Sequence, residues 1–112
     1  MNIRQREHGD VKILDLQGKI TIGVGDVAVR DAVQTALAAG SKKILLNMEG
    51  VTTIDSAGVG ELVSAYTTVT NRDGVLKLVN LPSKVTDILQ ITQLITVFEI
   101  YDDEDEAVES FS

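Results

Sequence analysis

Residues 44 to 48 read ILLNM, and this run restricts the fold more than any other feature of the chain. Four apolar side chains in five positions leave no wet face, which is what a strand covered on both sides requires. The flanking segments follow another period. Before the run, VAVRDAVQTALAAG sets Val29, Val33, Ala36 and Leu37 on one stripe, with Asp26 at the predicted N-cap and Gly40 at the C-cap. After it, from Ser56 onward, Val59, Leu62, Val63, Tyr66 and Val69 recur at helical spacing. Gly60, Glu61, Ser64, Thr67 and Asn71 are then expected on the solvent side. A strand buried on both faces between two amphipathic helices implies the α/β class.

The rest of the chain supplies further strands and helices. Ile3 to Glu7 alternates, His8-Gly9-Asp10 turns, and Val11, Ile13, Leu14 and Leu16 resume the alternation, as in a β-hairpin. Past Gly18, KITIGVGD extends the sheet briefly before Gly23 and Gly25 break it. Val75, Leu76, Leu78 and Val79 form another buried strand. Pro82 opens the next helix in its first turn, with Val85, Ile88, Leu89 and Leu94 facing inward. ITVFEIY reads as a last strand. The acidic run Asp102 to Glu106 then reads as the first turn of a final helix, where carboxylates complement the dipole, ending near Phe111. The expected architecture is one α/β domain over residues 1–112: a mixed sheet made of an N-terminal hairpin plus parallel strands, with helices packed against it.

Composition narrows the function classes. The chain has no cysteine, so disulfides, thiol catalysis and cysteine metal sites are excluded. Its net charge of -7 makes direct nucleic-acid contact unfavourable. The acidic run lacks the glycine and ligand spacing of a calcium loop, so no metal is expected, and no cofactor. The N-terminus MNIRQREHGD lacks an apolar signal core and no apolar run approaches a membrane span, so no membrane insertion and a cytoplasmic location are expected.

The segment IDSAGVGELVSAY, residues 54–66, carries the candidate chemistry. A serine nucleophile on a hydrolase elbow reads G-x-S-x-G, but Ile54 stands two residues before Ser56, and the only histidine, His8, sits in the hairpin turn. Gly58-Val59-Gly60 and Gly23-Val24-Gly25 are G-x-G fragments without the third glycine of a dinucleotide loop or the G-K-[ST] of a P-loop. Fragments this short are weak signals, and tight turning with close helix–sheet packing is their ordinary explanation. Ser56 or Asp55 is then the helix N-cap, and a capping role leaves an exposed hydroxyl free to meet another protein.

VTTIDSAGVGELVSAY resembles the phosphorylation segment of anti-sigma-factor antagonists, the bacterial STAS domains, where a strand ends in D-S-[ST]-G-[LV]-G and the serine begins a helix. The resemblance runs through the hairpin, the Gly18 turn, the first amphipathic helix, KILLNMEGV, VLKLVNLP and VFEIYDDEDEAV. It implies an anti-sigma-factor antagonist that binds a kinase anti-sigma factor and is switched off when that serine kinase phosphorylates Ser56, with a separate phosphatase resetting it. The implied partner surface comprises Asp55, Ser56, Ala57, Gly58, Val59, Gly60 and Glu61, together with Ile20, Thr21 and Gly23. The chain itself is then no enzyme. Ala57 replaces the usual Ser or Thr, and Gly18-Lys19-Ile20-Thr21 replaces a stretch that commonly ends in Asp. The alternative implied by the same family is a scaffold or transport-associated subunit that binds its partner constitutively, without phosphorylation. Whether the domain self-associates is left open.

Overall fold

The computed structural model describes all 112 residues. One five-stranded sheet runs in the order β1 (Asn2–His8), β2 (Val11–Ile20), β3 (Lys43–Ile54), β4 (Val75–Val79) and β5 (Ile100–Tyr101). β1 pairs antiparallel with β2, and every later pair is parallel. The expected mixed sheet is therefore present, with the hairpin at one edge.

The crossovers are α1 (Gly25–Ala38) between β2 and β3, α2 (Ser56–Asn71) between β3 and β4, and α3 (Ser83–Ile91) between β4 and β5. Strands added in consecutive order by crossovers of one hand place all three helices on one face of the sheet. That face buries Leu14, Leu16, Ile44, Leu46, Met48, Leu76 and Leu78 against Val33, Leu62, Val69 and Leu89. The alternate side chains, Val11, Ile13, Leu45 and Val79, lie on the other face under Ala107 and Phe111 of the C-terminal segment, whose helix α4 spans Glu104–Glu109. The nearly continuous apolar run of β3 is thus explained: Ile44, Leu45, Leu46 and Met48 are all fully buried because both faces are covered. Arg6 ties α4 to the sheet, its guanidinium donating to Asp15 at 2.7 and 2.8 Å and to Glu104 at 2.6 and 3.1 Å.

Several local expectations need correction. The N-cap position of α1 is Val24, not Asp26, which sits in the first turn and accepts from Val27 N–H at 2.8 Å. α1 begins two residues earlier than a cap at Asp26 implies, where Gly25 lies against the Lys19–Ile20 backbone. Pro82 is the N-cap of α3 rather than its first residue. ITVFEIY is not one strand: Leu94–Thr96 forms a 3₁₀ turn and only Ile100–Tyr101 pairs with β4. α2 is also rotated from the expected stripe. Gly58, Glu61 and Ala65 are buried beside Val59 and Leu62, whereas Val63 and Tyr66 are half-buried, Tyr66 meeting Phe98 edge-on at 5.6 Å. The cause is α1, which packs along the Gly58–Glu61–Ala65 side. Arg30 and Glu61 form an ion pair across that contact at 3.3 Å.

Candidate functional site

β2 and β3 end side by side and deliver the N-termini of α1 and α2 to the same end of the sheet, beyond the C-terminal ends of the strands, where α/β proteins commonly place their sites. Ile20, the last residue of β2, is fully buried, and its carbonyl accepts from Asp55 N–H at 3.4 Å. The chain then turns through Thr21, Ile22, Gly23 and Val24, with Val24 and Asp26 N–H groups donating to Thr21 O at 3.4 and 3.3 Å. Gly23 has φ +85°, a left-handed conformation that suits glycine.

The capping question is resolved in favour of Asp55. Its backbone is extended, and one carboxylate oxygen accepts from Gly58 N–H at 2.9 Å. The other oxygen accepts from Ile22 N–H at 3.0 Å, so the same side chain caps α2 and clamps the β2–α1 loop. These two backbone donors hold the Asp55 carboxyl below its usual range. A carboxyl whose folded pKa is depressed stabilises the fold above its unfolded pKa and loses that contribution as pH falls through the folded value. Asp55→Ala should therefore lower the melting temperature at pH 7 by roughly 5 °C, as loss of a cap does in a domain of this size. Melting curves recorded by circular dichroism at decreasing pH should show the deficit shrinking below the ordinary carboxylate range.

With Asp55 serving as cap, Ser56 has no capping duty. It is the first residue of α2 and is exposed. Ala57 beside it is half-buried, and the remaining residues of the predicted partner surface divide sharply. Gly60 is exposed and Thr21 half-buried, whereas Ile20, Gly58, Val59 and Glu61 are buried and support the surface from beneath. Gly58 lies so close to Ile20 that a Cβ there would overlap the Ile20 carbonyl oxygen and stand 2.8 Å from Ile54 Cγ1. Of each Gly-Val-Gly fragment, one glycine is a packing residue, Gly25 or Gly58, and both press on the end of β2.

In the loop around Ile20 to Asp26, which the resemblance implies for partner contact, Ile22 and Val24 were not named individually. They are 74% and 61% exposed on the loop that Asp55 clamps, and Val27 follows them on the open side of α1. Their signal was present as apolar residues alternating with glycine in a turn, away from either helical stripe. An exposed serine beside such apolar residues is a surface suited to another protein.

Glu61 was expected to be wet and is only 6% exposed. Burial pushes its carboxyl above the usual range, with Arg30 pulling the other way. Ionising this group thus costs the folded chain more than the unfolded one, and its contribution to stability falls as pH rises through the folded pKa. Glu61→Gln should melt slightly above the wild type at pH 8 and lose that advantage toward pH 4, a trend that calorimetry at several pH values would show.

Comparison with known proteins bears on this geometry. The family profile described as STAS domain matches residues 2–107. A Thermotoga neapolitana protein, provisionally named an anti-sigma factor antagonist, is 37% identical over 70 residues, which is 62% of this chain and 62% of that protein. The match thus spans less than two thirds of that relative. A crystal structure of a Thermotoga maritima protein with the same provisional description superposes with a TM-score of 0.88 at 28% identity, covering 96% of this chain and 92% of the other. The Bacillus cell fate determinant SpoIIAA in its phosphorylated form shares the fold, with a TM-score of 0.75 at 19% identity over 99% of this chain and 100% of that one.

Proposed function

The chain belongs to the STAS domain family, and from that premise we propose that it is an anti-sigma factor antagonist switched by phosphorylation of Ser56. The observation that carries this reading is the division of labour at the start of α2. Asp55 does the capping, so the adjacent hydroxyl is exposed and unused by the fold, next to the bare side chains of Ile22 and Val24. The names of the two Thermotoga relatives support the partner class, and the Bacillus structure supports a fold compatible with phosphate.

In the unmodified state, the partner, an anti-sigma factor with serine kinase activity, buries Ile22, Val24 and the first turn of α2. That engagement releases the sigma factor. Phosphorylation adds about -1.5 to -2 charges at neutral pH. Within the chain the phosphate is tolerated, because the first turn of a helix offers free amides and the positive end of the dipole. Across the interface it is not. A dianion beside Asp55, on a chain of net charge -7, must be desolvated against an apolar partner surface. The complex then separates, and a phosphatase restores the binding form. The domain acts as substrate and ligand while the kinase supplies the chemistry.

Incubation of the purified chain with the kinase-type anti-sigma factor and Mg-ATP, followed by phosphopeptide mapping, tests this. One phosphate on Ser56, absent from Ser56→Ala, is the expected outcome. A stable complex that survives ATP with no phosphate on Ser56 would instead indicate the constitutive scaffold or transport-associated subunit.

A further inference from the structure

Gly60 has no role that the fold explains. It lies inside α2 on the exposed side, its φ is not in the left-handed region, and a Cβ built there would meet nothing within 4 Å. Gly58, two residues earlier, is the glycine that close packing requires. Glycine is the poorest ordinary helix former after proline, so an alanine at position 60 would suit the helix better. A position that breaks a local rule without a structural return is expected at a functional surface.

The geometry of α2 says which function. Ser56 and Gly60 are four residues apart and share a face, and a helical side chain leans toward the N-terminus, over the turn preceding its own Cα. Any side chain at position 60 would therefore project into the open space on the Ser56 side of the helix, where a Cβ itself touches nothing within 4 Å. We infer that Gly60 is a specificity-determining residue that keeps the Ser56 hydroxyl uncovered for a nucleotide-dependent serine kinase, which takes its substrate as a folded helix start rather than as an extended peptide. The inference rests on the function proposed above. In the transfer step the Ser56 oxygen forms a bond to the γ-phosphorus of ATP while the bond from that phosphorus to the β-bridging oxygen breaks. ADP leaves, and the serine proton passes to a base of the kinase. Such a transfer needs the hydroxyl in line and about 3–3.5 Å from phosphorus, which a methyl or larger group at position 60 would obstruct.

Gly60→Ala and Gly60→Leu, made in the full chain, test the idea with melting curves and with steady-state phosphorylation by the kinase and Mg-ATP. Both variants should melt at or above the wild-type temperature, as expected when glycine leaves an exposed helix position. The kcat/KM for Ser56 phosphorylation should fall by about tenfold for Ala and about a hundredfold for Leu. Phosphorylation of all three at equal rates overturns the role of Gly60 and leaves the switch intact. A lower melting temperature for Gly60→Ala overturns the premise that the fold does not use this glycine. A wild-type chain that binds the kinase and is never phosphorylated overturns the proposed switch and this inference together.

Discussion

Ser56→Asp should bind the anti-sigma factor about thirtyfold more weakly than Ser56→Ala, while both variants keep the wild-type fold. An uncompensated charge in a desolvated interface typically costs about 2–5 kcal/mol, and an aspartate, smaller and less charged than phosphoserine, belongs at the lower end. The fold should be indifferent to the change. Ser56 is exposed, has no capping role, and stands in the first turn of a 16-residue helix, where a carboxylate interacts favourably with the dipole. Titration calorimetry gives the affinities and thermal melting gives the fold. Equal affinities would remove the charge-based mechanism. A collapse of Ser56→Asp would show that modification acts through the domain's stability instead of its surface.

The second large effect concerns the floor of the site. Gly25→Ala and Gly58→Ala should each destabilise the chain by about 3 kcal/mol, or roughly 12 °C in melting temperature. At position 25 a methyl would overlap the Lys19 carbonyl oxygen and lie 2.6 Å from Ile20 Cα. At position 58 it would overlap the Ile20 carbonyl oxygen and lie 2.9 Å from Ile20 Cγ2. In both cases the obstacle includes backbone at the end of β2, which is paired to β3 through Lys19 with Thr53 and Ile20 with Ile54 and so cannot readily swing aside. Relief requires α1 or α2 to retreat from the sheet. That motion would pull apart the Asp55 clamp on Ile22, so partner affinity should fall with stability. Melting temperatures within a degree or two of wild type for both variants would contradict the account of how this end of the sheet is built.

The legible parts of the fold were those whose neighbours lie close in sequence or whose burial is complete. Ile44 to Met48 announced a doubly covered strand because both layers demand apolar side chains, and four of the five positions carry them. The His8-Gly9-Asp10 turn announced the hairpin because the strands it joins are adjacent in the chain. Gly40 announced the end of α1, where it takes φ +96° and its N–H donates to Leu37 O at 3.0 Å. What a helix's own period does not contain is the direction of its second neighbour. α2 showed an apolar stripe through Val59, Leu62, Val63 and Tyr66, and the contact with α1 turned it so that Glu61 went under and Tyr66 came halfway out. Asp26 resembled a cap because nothing local reveals that Gly25 is pinned to β2. Ser56 and Asp55 were equally good caps on paper. The second bond of Asp55, to Ile22 in a loop 33 residues away, separated them. The same distant contact explains why Ile22 and Val24 were not singled out: their exposure beside Ser56 exists only once the two loops are joined.

The central claim, that Ser56 is the switch, is tested most directly by the intact mass of the chain recovered from its native cells under conditions that hold the sigma factor inactive. The account predicts a species heavier by one phosphoryl group, with fragment ions placing it on Ser56, and no such species from cells carrying Ser56→Ala. A chain that is unmodified at Ser56 under every condition in which the sigma factor is inactive would contradict it.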